Sequence, residues 1–140
     1  MQLQKAVVDS LFLFNQSPDH RLYTLVDFNN FCIFPIIHSK ARLFYDEGKP
    51  IGLVTWCWLT DEESQDFLDE KWAPDEKTYQ RNIGDMLWGV EFIAPYKPPL
   101  KTIKMMMKDT YRVSTSHLDT DHKVNWRRLS KPAKLHTRRL

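Results

Sequence analysis

The sequence predicts an α+β fold, a mixed sheet with helices packed on it. Three stretches carry that expectation. Residues 2–14 place Leu3, Val7, Leu11 and Phe14 at spacings of four, four and three, one face of a helix. Residues 41–58 read as a hairpin, with Asp46-Glu47-Gly48-Lys49 at its turn and Gly48 free to take positive φ. Residues 84–96 form a run that is apolar on both alternating faces, as a strand covered on two sides requires.

The remaining elements can be taken in chain order. Ser17-Pro18 ends the first helix, because the residue before proline is pushed out of the helical region. Residues 23–38 are ambiguous. Phe28, Phe31, Cys32 and Phe34 fit a helical face, while Pro35 and the β-branched Ile33, Ile36 and Ile37 oppose a long helix, so a short one is expected. In the hairpin's return strand Trp56 and Trp58 share one face, and Leu53 and Cys57 the other. Thr60 and Glu63 make a capping box, opening a helix to about residue 71 with Phe67 and Leu68 turned inward. Residues 75–83 are polar and read as a loop. Pro98 and Pro99 open a helix carrying Leu100, Ile103 and Met107, and residues 111–116 read as a further strand.

Composition narrows the class. A chain of 140 residues is one domain in size and buries roughly two thirds of the surface its unfolded form exposes. A hydrophobic content of 42% with 13% aromatics belongs to a globular protein. The net charge of +2 is unevenly spread: residues 123–140 hold seven Lys/Arg and no acid, which marks off a basic C-terminal tail from a domain at 1–122. Eight acids lie between Asp61 and Glu76. The cysteines, Cys32 and Cys57, sit in apolar stretches and suit a reducing compartment. No apolar run reaches the ~18 residues of a membrane span, and no signal-peptide pattern opens the chain, so a cytoplasmic location is expected. His117, His122, Asp119 and Asp121 mimic a metal cluster but match no ligand spacing, so no metal site is expected. Four glycines and no Gly-rich run argue against a nucleotide-cradling loop.

The chemistry-bearing stretches are Ser17-Pro18-Asp19-His20-Arg21 and Gly84-Asp85-Met86-Leu87-Trp88-Gly89-Val90-Glu91-Phe92-Ile93-Ala94-Pro95-Tyr96. In the second, Glu91 is placed by alternation on the face of Leu87, Gly89 and Ile93, with open space over Gly89. A carboxylate there needs a partner, because an unpaired buried charge is expensive. His20, Arg21 and Arg42 are the possible partners, together with backbone groups. Together the two motifs make the chain resemble the RTX toxin-activating lysine acyltransferases, typified by the haemolysin activator. They carry a Ser-Pro-x-His-Arg segment followed by a Gly-Asp-x-x-Trp strand with an acid and Ile-Ala-Pro. The resemblance runs from about residue 12 to about residue 107. The family normally has Asp where this chain has Glu91, a difference of one methylene in reach.

The resemblance implies a GNAT-like fold for residues 1–122 and an acyltransferase that moves an acyl group from acyl carrier protein, as a phosphopantetheine thioester, to a lysine of a partner protein toxin. No tightly bound cofactor is implied. His20 would take a proton from the lysine amine, or carry the acyl group, and Glu91 would orient it. Ser17, Arg21 and Trp88 are the substrate- and carrier-binding candidates; Ser17 could also act as a nucleophile, but a helix cap or a support for His20 is the preferred role. A homodimer or heteromer is implied by the family alone. Three other readings stay open. One is a maturation protein of a siderophore-microcin cluster that, with a companion subunit, helps attach a siderophore-type group to a microcin peptide's C-terminus. Another is a catalytically inactive binding module of the same fold. The last is nonspecific nucleic-acid binding by the tail, where Trp126 adjoins Arg127 and Arg128.

Overall fold

The computed structural model describes residues 2–119, 122–127 and 135–138. Its centre is one sheet in the order β1 (Ala41–Asp46), β2 (Lys49–Leu59), β3 (Met86–Ile93), β4 (Val124–Arg127) and β5 (Leu135–Arg138). β3 pairs in parallel with β4, and every other pairing is antiparallel. Helices α1 (Leu3–Gln16), α2 (Leu25–Phe28), α3 (Phe34–Ile37), α4 (Asp61–Leu68) and α5 (Glu76–Tyr79) lie on one face, and α6 (Leu100–Ser114) covers the other. This is the α+β, GNAT-like mixed sheet with flanking helices that was expected. β4 and β5 fall within residues 123–140, so the boundary drawn by charge crosses the sheet.

The hairpin forms as predicted, with Glu47 and Gly48 both at positive φ, the backbone that matches the twist of the flanking strands. The Thr60–Glu63 capping box closes in both directions, but α4 stops at Leu68, three residues short of the expected end. A second box, Asp75 with Thr78, opens one turn of helix, α5, inside the expected loop and buries Tyr79. Residues 111–116 are not a strand: α6 runs on to Ser114. Val113, β-branched, lies in the last turn of this helix and packs with Tyr111 against the cluster of Trp56, Trp58 and Leu87, where packing outweighs strand propensity.

α1 buries Ala6, Ser10, Leu13 and Phe14, whereas Leu3 and Leu11 face outward. Both sets recur with helical period, and the sheet takes the one with small residues, which lets the helix close on β2. Residues 25–37 form one longer helical path with a π-turn over Asn29–Ile33 between α2 and α3. Pro35 has no N–H for the carbonyl of Phe31, and the Thr55 hydroxyl donates there instead, at 3.4 Å.

One irregularity in the sheet decides where Glu91 points. Across β2 and β3, Thr55 faces Glu91 but Trp56 faces Gly89, so Val90 is an extra residue in β3. The bulge shifts the alternation by one. Glu91 therefore shares its face with Ile93 but not with Leu87 and Gly89. The space over Gly89, on the α6 face, is filled by the Trp126 ring.

Candidate active site

Ser17 and His20 are placed by the end of α1. The Ser17 N–H donates to the Phe14 carbonyl, and the Ser17 carbonyl accepts from both His20 N–H (3.1 Å) and Arg21 N–H (3.0 Å). The chain thus makes a tight turn that brings the Ser17 and His20 side chains together, Ser17 Oγ lying 2.6 Å from His20 Nδ1. The Phe14 ring packs edge-on against His20, Tyr23 and Phe28. It anchors the turn to the core that contains Leu13 and Ile93.

From the sheet, the bulge delivers Glu91. Its Oε2 is 2.7 Å from His20 Nε2, and its Oε1 accepts from the Tyr23 hydroxyl at 2.5 Å. The Glu91 N–H donates to Thr55 Oγ1 at 3.1 Å, and Thr55 in turn donates to Phe31. Thr55 thereby ties strand, neighbouring strand and helix at one point. Glu91 is 4% exposed, and the His20 side chain 13%.

The donor set defines the tautomer. A carboxylate only accepts, so Tyr23 O–H and His20 Nε2–H both donate to Glu91. His20 Nδ1 is then the acceptor, and it faces the Ser17 hydroxyl. The result is a hydrogen-bonded line from Ser17 through His20 to Glu91 and Tyr23: a hydroxyl, an imidazole, a carboxylate and a phenol that holds the carboxylate.

The other predicted residues lie apart from this line. Arg21 is exposed at the surface. Trp88 is 1% exposed, packed edge-on to Phe67 and donating to Ser64 Oγ at 2.8 Å. It is a core residue, because its face of β3 is sealed by α4 and cannot wall a substrate channel. Arg42 pairs with Asp109 at 2.7 Å, not with Glu91. Cys32 is fully buried, and burial pushes its thiol up to about 12; Cys57 is likewise pushed up by burial. Neither is a thiolate nucleophile at neutral pH. Among the described residues no three His, Cys, Asp or Glu side chains gather around a common point, and His117 and His122 both pack edge-on against Trp58. Asp121 lies outside the described residues.

Tyr23 and Thr55 were missed by sequence reasoning. Tyr23 lies three residues beyond His20, as Ser17 lies three before it, a spacing that carries meaning only once the turn is known. Thr55 has no local signal, since its role depends on the cross-strand register.

The bulged central strand of this mixed sheet thus presents Glu91 to His20, bringing together the two motifs on which the family resemblance rests. The comparison with known families agrees: residues 2–137 match the RTX toxin acyltransferase family, and the chain belongs to it. It is similar to the RTX-II toxin-activating lysine-acyltransferase ApxIIC of Actinobacillus pleuropneumoniae, with 28% identity over 85 residues, 61% of this chain and 52% of that protein. The match therefore spans about half the length of this curated relative. No helix among the described residues is long and apolar enough to cross a membrane.

Proposed function

We propose that this protein transfers an acyl group from the phosphopantetheine thioester of acyl carrier protein to a lysine side chain of a partner protein toxin. The observation that carries this reading is the line Ser17–His20–Glu91–Tyr23. A lysine amine is protonated at neutral pH and must lose a proton to attack. Glu91 occupies Nε2, so the free basic atom of His20 is Nδ1, and the Ser17 hydroxyl lies on it. The ammonium gives up one proton to solvent, and a second leaves the attacking nitrogen through Ser17 Oγ, which passes its own proton to Nδ1. The amine nitrogen bonds to the thioester carbonyl carbon, the C–S bond breaks, and the pantetheine thiolate takes the proton back from His20. Glu91 stabilises the imidazolium in between, and Tyr23 holds Glu91 in place.

The test is the intact mass of the cognate toxin co-expressed with the wild-type chain, with His20→Ala and with Glu91→Ala. The expected result is an acyl-sized gain on an internal lysine. Loss of a general base costs about 10²–10⁴ in rate, so the gain should vanish with both variants. A gain that survives His20→Ala sinks the mechanism, and a siderophore-sized gain at a peptide C-terminus replaces the substrate. An acyl adduct trapped on Ser17 would convert the relay into a covalent step.

A further inference from the structure

The outward face of α6 carries a second organised surface. Lys101, Lys104, Lys108 and Arg112 recur at spacings of three, four and four, which stacks them along one side of the helix. All four are exposed, and Lys101, Lys104 and Lys108 have no ion pair among the described residues. Leu100 and Met105 stand beside them, 62% and 50% exposed. These side chains line a shallow surface groove of about 720 Å³. The one acid in it, Asp109, is held by Arg112 at 2.6 Å and Arg42 at 2.7 Å, and these hydrogen bonds keep its carboxyl below the usual range. The groove is therefore a positive stripe with apolar anchors.

The helix that carries it follows the strand that carries Glu91. β3 ends at Ile93, two residues past Glu91, and α6 starts at Leu100 and runs back along the opposite face of the sheet. In the connection between the two elements Lys97 adjoins Tyr96, whose ring lies 4.1 Å beneath Lys49 Nζ. A basic stripe flanked by exposed Leu100 and Met105 suits a partner helix with carboxylates around apolar side chains.

We propose that this groove docks an acidic helix of the acyl-carrying protein, with Lys101, Lys104 and Lys108 meeting its carboxylates and Leu100 and Met105 its apolar side chains. The inference rests on the proposed reaction, because it names the surface by which that reaction's donor arrives.

The test uses the full chain with Lys101→Glu, Lys104→Glu and Lys108→Glu combined. Two donors carry the same tetradecanoyl chain, one on bacterial acyl carrier protein and one on free pantetheine. Carrier affinity is measured by titration at low and high salt, and transfer is measured with both donors. The expected result is at least a tenfold loss of carrier affinity in the variant, steep salt dependence only in the wild type, and unchanged transfer from acyl-pantetheine. An unchanged unfolding midpoint guards against a folding defect, and Lys→Arg replacements should retain affinity. Equal carrier affinity in wild type and variant overturns the proposal, as does a wild type that binds no carrier. Self-association of the wild type that the variant abolishes, with carrier affinity unaltered, also overturns it and assigns the groove to a second copy. Stripe-dependent carrier binding without transfer from either donor upholds the docking surface and defeats the proposed reaction.

Discussion

Glu91 is held at three points: His20 on one oxygen, Tyr23 on the other and Thr55 on its backbone N–H. With the backbone pinned, the length of the side chain matters. Shortening the acid by Glu91→Asp should leave it unable to meet both His20 and Tyr23, even though Asp is the family's usual residue. Tyr23→Phe removes a single charge-assisted hydrogen bond, which contributes about 1.5–3 kcal/mol. Under the proposed relay, initial rates of acyl transfer should therefore fall by about tenfold or more in Tyr23→Phe, with the KM for acyl donor little changed, because Tyr23 contacts Glu91. A Tyr23→Phe variant with wild-type kcat would remove Tyr23 from the proposed relay.

The bulge in β3 and the cap of α4 are the local devices with the largest consequences. The bulge turns Glu91 toward the helices, and Gly89 admits the Trp126 ring on the opposite face. In α4, Glu63 both caps the helix, accepting from Thr60 N–H at 2.9 Å, and pairs with Arg81, whose Nη2 lies 2.8 Å from Glu63 Oε2. Chiefly through the Arg81 hydrogen bonds, the Glu63 carboxyl is held below its ordinary value of 4.5. A carboxyl whose folded pKa is depressed stabilises the fold fully above its unfolded pKa and loses that contribution as pH falls through the folded value. Arg81→Ala should cost about 1 kcal/mol at neutral pH, a modest figure because the pair is partly exposed. Urea midpoints of wild type and variant should converge as pH falls from about 6 to about 3. A gap constant across that range would show that Arg81 stabilises by packing and not through Glu63.

Taken as one body, the protein is a sheet whose last two strands come from its most basic stretch. Val124 and Trp126 join Trp56, Trp58 and Leu87 in the core beneath α6, and β4 supplies the parallel partner of β3. Removing residues 123–140 therefore does more than lower the charge. It strips β3 of a neighbour and leaves an apolar edge open to other chains. The 1–122 fragment should unfold without a cooperative transition and associate with itself, as judged by thermal melting and size-exclusion chromatography. A monomeric fragment that melts cooperatively would restore the tail to a dispensable appendage.

Legibility in the sequence tracked range. The hairpin, the Thr60 cap, the first helix and the buried strand each announce themselves within a few residues, because turn geometry, capping hydrogen bonds and periodicity are short-range. His20 and Glu91 were recognisable as a pair only through the two motifs that resemble the family, since 71 positions separate them. What the tertiary structure alone decided is how those pieces face one another: the side of α1 that goes inward, the extra residue that parts Glu91 from the face of Gly89, the arrival of Tyr23 and Thr55 beside the acid, and the strands drawn from the basic end. The reason is physical. Local conformation is chosen by each residue and its near neighbours, whereas a face, a register and a hydrogen-bond partner are chosen by whatever surface packs against them.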